Sequence, residues 1–70
     1  MNDYFNWGKK IRYERLRKGL SQEDLEEKSM VSRRTISEIE RGNADIRYTN
    51  LLQISNALGM TISQLLDFKF

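Results

Sequence analysis

The chain has 70 residues, with 12 basic and 10 acidic side chains giving a net charge of +2, and it contains neither cysteine nor histidine. That length suits one domain, near the lower limit at which a single hydrophobic core holds a fold without help. The missing residue types exclude disulfides, the Ser-His-Asp and Cys-His nucleophile arrangements and the ordinary zinc sites, so the composition points to no enzyme, no metal and no cofactor. Carboxylate pairs remain as candidate catalysts, but the acidic residues are scattered among the basic ones as on a charged surface. No apolar run approaches the ~20 residues of a membrane span, and the opening MNDYFNWGKK lacks the order of a secretory signal. The chain reads as a soluble, cytoplasmic domain with no membrane partner.

Proline is absent, and apolar residues recur at helical spacing throughout. Tyr4, Phe5, Trp7, Gly8 and Ile11 lead into Leu16, and the basic turn RLRK followed by Gly19 closes a first helix over about 3 to 18. Ser21 stands before QEDLEEK with Asp24 three residues on, an N-cap hydroxyl with acids in the first turn, which opens a second helix over about 22 to 29. Ser32 repeats the signal before RRTISEIER, and Gly42 ends a third helix over about 33 to 41. After the polar loop NADIRY, Thr49 is read as the cap of NLLQISNAL, which Gly59 terminates. Thr61 and Gln64 then form a T-x-x-Q capping box that opens ISQLLDF. The expectation is an all-α fold of five short helices forming one domain over 1 to 70, with a core of Ile11, Leu16, Leu20, Leu25, Val31, Ile36, Ile39, Leu51, Ile54, Leu58, Ile62 and Leu65.

Charge is distributed unevenly along these elements. Residues 1 to 20 carry +4, residues 21 to 32 carry −3, residues 33 to 47 carry +1, and the remainder is neutral. The basic clusters, Lys9 to Lys18 and then Arg33, Arg34, Arg41 and Arg47, fit a polyanionic partner, although a solvated basic face has the same composition. The segment MVS separates the second and third helices by the spacing of a helix-turn-helix. A helix of about nine residues is marginal alone, so the third must be held through Ile36 and Ile39. Its other face, with Arg33, Arg34, Ser37 and Glu38, is left outward. The planar fork of arginine matches guanine O6 and N7 in the major groove, and residues near the N-terminus of a recognition helix reach deepest into it.

The segments KGLSQEDL and VSRRTISEIERG, within a match running from residue 8 to 66, resemble the helix-turn-helix domain of the Cro/C1 repressor family, also called the xenobiotic-response-element family. The resemblance implies a compact five-helix bundle of the lambda-repressor-like type that binds double-stranded operator DNA as a two-fold dimer. By matched position it implies that Ser32, Arg33, Arg34, Ser37 and Glu38 face bases or adjacent phosphates, and that Gln22, Arg41, Asn43 and Arg47 approach the phosphate backbone. It also implies a partly buried ion pair between Arg15 and Glu40. The chain departs from the family at Glu26, where alanine is usual, and at Met30, where the turn usually has glycine. A non-glycine residue in a left-handed conformation costs on the order of 1 kcal/mol, and a carboxylate at a helix crossing must reach solvent or a donor. Glu38 admits two roles: accepting from cytosine N4, or orienting Arg34 and repelling phosphate.

At the C-terminal end, Leu66, Phe68 and Phe70 are apolar beyond what a small domain readily covers, and they are the candidate subunit contact of a homodimer. The function this adds up to is a sequence-specific, dimeric DNA-binding transcription regulator, a repressor or autoregulator, similar in size to phage repressors and restriction-modification controllers. Two alternatives stay open: an antitoxin that binds its own operator and masks a toxin, and a protein-interaction module that has lost DNA binding, for which Glu26, Glu38 and the low net charge speak.

Overall fold

The computed structural model describes residues 3–43 and 46–66, with side chains from Asn6 onward. Its elements are α1 (Asp3–Arg17), α2 (Gln22–Ser29), α3 (Arg33–Glu40), α4 (Tyr48–Ala57) and α5 (Ile62–Leu65), and the described residues contain no strand. The first and third helices each end one residue earlier than expected, within the ordinary fraying of a last turn.

Local chemistry explains most of the boundaries. Ser21 Oγ accepts from the Asp24 N–H at 2.9 Å while Asp24 Oδ2 accepts from the Ser21 N–H at 2.9 Å, closing a reciprocal capping box at the start of α2. The Ser21 backbone N–H first, and then the Ser21 hydroxyl, hold the Asp24 carboxyl below its ordinary pKa. Thr61 and Gln64 repeat the box at α5, with bonds of 3.1 and 3.0 Å. Ser32 Oγ caps α3 by accepting from the Thr35 N–H at 3.1 Å. At its far end Gly42, at φ 75°, lets the Asn43 N–H return to the Glu38 carbonyl at 3.0 Å.

The start of α4 corrects the sequence reading. Thr49 does not cap this helix: Arg47 is the N-cap, without a side-chain cap bond, and Thr49 lies inside the first turn. Packing decides this. Ile46, just outside the cap, packs against the core cluster that contains Leu51, four residues into the helix, which is the spacing of a hydrophobic staple.

The core consists of Ile11, Leu25, Val31, Ile36, Ile39, Leu51, Ile54, Leu58 and Leu65, with Leu20, Ile46, Ile62 and Leu66 partly buried against it. Leu16 does not join it and is 51% exposed. Arg15, one turn after Ile11, takes the inward position instead, and Leu16 comes out beside the exposed Tyr13. Helix α1 packs on α3 and α5, α2 packs on α3 and α4, and α4 packs on α5, so α3 is gripped on its inner side by two helices. The approach of α1 to α3 is close: a Cβ added to Gly8 would overlap the Ile39 carbonyl oxygen.

Candidate nucleic-acid interface

Ile36 and Ile39 seat α3 in the core, fully buried. The opposite face is thereby fixed outward. Ser32, Arg33 and Arg34 are exposed at the N-terminal end of α3, and Ser37 and Glu38 are half-buried one turn on. Asn43 and Arg47 are exposed between α3 and α4.

The arginines differ in their partners. Arg33 Nη1 lies 2.8 Å from Glu23 Oε1 of α2, both side chains being solvent-exposed, and the Arg33 backbone N–H donates to Glu26 Oε2 at 2.8 Å. Arg34 makes no hydrogen bond or ion pair among the described residues. Arg41 Nη2 donates to Ser37 Oγ at 3.1 Å and to Glu38 Oε1 at 3.2 Å. Of the two roles read for Glu38, orienting Arg34 is corrected: the carboxylate pairs with Arg41, three residues along the same helix face, where the geometry of an i, i+3 pair favours it.

Beneath this face lies an ion pair that sets the height of α3 over α1. Arg15 Nε donates to Glu40 Oε2 at 2.7 Å and Nη2 to Glu40 Oε1 at 2.9 Å, while Nη1 donates to the Leu20 carbonyl at 2.8 Å. Both residues are buried, at 6% and 7% exposure. The bonds to Glu40 outweigh the effect of burial and push the Arg15 pKa up. Gln22 completes the cluster: its Nε2 donates to Glu40 Oε1 at 3.1 Å. Sequence reading placed Gln22 at a phosphate, whereas here its amide nitrogen is turned onto the buried pair. No buried side-chain polar atom among the described residues lacks a partner.

Three features escape the sequence. Glu26 was noticed as a carboxylate where alanine is usual, but nothing in the spacing announced that it would cap α3 across the turn. Gly8 reads in the sequence only as part of the lead into the first helix. The candidate subunit contact is only partly described: Leu66 is partly buried on the core, whereas Phe68 and Phe70 lie outside the described residues. Tyr48 and Leu52, one turn apart on α4, are exposed apolar side chains that the sequence did not single out.

Residues 11–65 match the helix-turn-helix family, a span that covers α2, α3, α4 and α5 and the second half of α1. The chain belongs to the Cro/C1-type helix-turn-helix family. Among its relatives, the control protein C.BamHI of Bacillus amyloliquefaciens is 43% identical over 63 residues, covering 89% of this chain and 78% of that protein. The crystal structure of the restriction-modification controller protein C.AhdI from Aeromonas hydrophila superposes with a TM-score of 0.87 at 33% identity, covering 90% of this chain and 96% of that one. The clp gene regulator ClgR from Corynebacterium glutamicum gives 0.89 at 30% identity, covering 94% of this chain and 70% of that one. The five-helix arrangement is thus the one this helix-turn-helix family uses. Among the described residues no cluster of His, Cys, Asp or Glu is placed to hold a metal, and no helix is long and apolar enough to cross a membrane.

Proposed function

We propose that this helix-turn-helix protein, a DNA-binding transcriptional regulator, reads operator DNA as a homodimer with the N-terminal end of α3 in the major groove, and acts as a repressor or autoregulator. One observation carries the reading: Ile36 and Ile39 are fully buried while Arg33 and Arg34 stand exposed at the start of the same helix. A helix anchored on one face and bearing outward guanidinium groups at its leading end meets the requirements of a groove reader. Arg34, without a partner among the described residues, can make two parallel bonds to a guanine edge. Arg41, Asn43 and Arg47, exposed at and after the C-terminal end of α3, are the residues assigned to the phosphate backbone. Gln22 is assigned to positioning Glu40 rather than to a phosphate.

The named relatives are controllers and regulators, which favours this reading over the antitoxin. The interaction-module reading loses its main support, because the Glu26 carboxylate is taken up as a helix cap and that of Glu38 by Arg41.

Selection of bound sites from a random duplex pool tests the proposal, followed by titration of variants at several salt concentrations. Arg34→Ala should lose about 1 to 3 kcal/mol on the selected site and relax the preference at one position per half-site, with nonspecific binding nearly intact. Arg47→Ala should weaken every sequence alike and lower the salt slope by about one unit per half-site. If the Arg34 variant weakens all duplexes uniformly, α3 grips phosphate and the base-reading assignment is wrong.

A further inference from the structure

The first N–H groups of any helix have no partner within it. At α3 the chain itself supplies two of the missing acceptors: Ser32 Oγ for the Thr35 N–H, and the Glu26 carboxylate, reaching across the turn from α2, for the Arg33 N–H at 2.8 Å. Arg33 is the first residue of the helix, and Glu23, one turn earlier on α2, holds the same residue's guanidinium at 2.8 Å. Arg33 is therefore tied to α2 at its backbone and at its side chain. Its neighbour Arg34 is tied to neither among the described residues.

This tie sits where the motif is otherwise loosest. Met30 occupies the turn in a left-handed conformation, φ 64°, with its side chain 85% exposed, so it adds almost no packing between α2 and α3. Beyond the buried Val31, Ser29 Oγ accepting from the Val31 N–H at 3.1 Å and the exposed Arg33–Glu23 pair, the cross-turn bond to Glu26 is what ties the backbone at the leading end of α3 to α2. A charged acceptor on a backbone N–H at a helix start makes a short and strong hydrogen bond, with the helix dipole in its favour.

We propose that Glu26 is a positioning residue for base reading: by holding the Arg33 N–H it sets the entry angle of α3, and with it the reach of Arg33 and Arg34 toward base edges. The inference rests on the DNA-binding function proposed above. Base contacts discriminate only when donors are held close to their required geometry, whereas phosphate contacts tolerate displacement, so loosening this end of α3 penalises the specific complex more than the nonspecific one. The negative charge of Glu26 near a DNA-facing surface acts in the opposite sense, repelling every duplex alike. Glutamine separates the two effects, because it keeps an acceptor oxygen and removes the charge.

The experiment compares the parent protein with Glu26→Ala, Glu26→Met and Glu26→Gln, each held well below its melting temperature, on a selected operator and on a random duplex. Glu26→Met keeps the side-chain stem and so reports on the lost acceptor should the alanine variant fail to fold. Amide exchange at Arg33, measured without DNA, reports the bond directly. Loss of the acceptor should lower the ratio of specific to nonspecific affinity about fivefold, the equivalent of one helix cap, and speed exchange at Arg33, while Glu26→Gln, which keeps a weaker, neutral acceptor, falls between the parent and these variants in both. If all three variants bind every duplex more tightly with the ratio unchanged, Glu26 is only a repelling charge and the proposal fails. An unchanged ratio with faster exchange also overturns it, since the cap would then be structural alone. A parent protein with no sequence preference would instead sink the DNA-reading function itself, which the same titration shows before any variant is compared.

Discussion

Met30 holds φ 64° without being glycine, and its exposed side chain gains little packing in return. The residue after α2 must be left-handed because its N–H returns to the Glu26 carbonyl at 2.9 Å while the chain reverses toward α3. Met30→Gly should therefore raise stability by about 1 kcal/mol, read as a higher denaturation midpoint with unchanged slope. A lower midpoint would mean that the thioether contributes more than the strain costs. The strained position was legible only through the family resemblance, in which the turn usually has glycine where this chain has Met30. The compensation by Glu26 was not, since it depends on two backbone segments meeting across the turn. Arg15 and Glu40 make a second case at this scale. Their separation of 25 residues shows no pattern in the sequence, and only the family resemblance suggested the pair. Removing one partner leaves the other charged and buried, so Glu40→Ala should cost roughly 3 kcal/mol, whereas Glu27→Ala, on an exposed face of α2, should cost little. Thermal melts of the two variants decide it, and equal melting temperatures would show that the pair contributes nothing.

Elements that carry their own start and stop signals were the most legible. The capping box at α5 and the serines before α2 and α3 fixed those boundaries because the bonds that make them are local. The start of α4 was misread because a staple to the core outranked a hydroxyl cap, and Leu16 was misassigned because Arg15 took its place in the interior. In both, contacts remote in sequence decided between options that were locally similar. The crossing of α1 over α3 is of the same kind. Gly8 faces the Ile39 carbonyl, and the carbonyls at the end of α3 are backbone, which cannot rotate away as a flexible side chain would. Gly8→Ala gains helix propensity at an internal position of α1, worth up to about 1 kcal/mol, but must push the helices apart, and overpacking of this kind costs typically 1 to 3 kcal/mol. The crossing should win. The expected result is a lower melting temperature together with shifted amide resonances in α3, whereas a more stable variant would show that α1 shifts aside freely.

At the scale of the whole molecule, one copy presents one α3 and on the proposed function would read one half-site. A two-fold dimer would double both the base contacts and the phosphates neutralised, which is how helix-turn-helix proteins reach operator specificity. The apolar residues available to join two copies fall into two groups. Leu66 leads into the apolar C-terminal end that contains Phe68 and Phe70, and part of its surface is already spent on the core; Tyr48 and Leu52 form a separate exposed pair on α4. The apolar residues Leu66, Phe68 and Phe70, close together in the sequence, favour the first group. Sedimentation should then find a concentration-dependent dimer in the parent, a monomer in a Leu66→Glu, Phe68→Ser double variant, and a persisting dimer in a Tyr48→Ser, Leu52→Ser double variant. The monomeric variant should still bind random duplex, with a salt slope about half that of the parent because half the phosphate contacts are lost. If instead the α4 variant is the one that dissociates, the subunits meet through Tyr48 and Leu52, and the spacing of the two α3 helices on DNA must be rebuilt from that face.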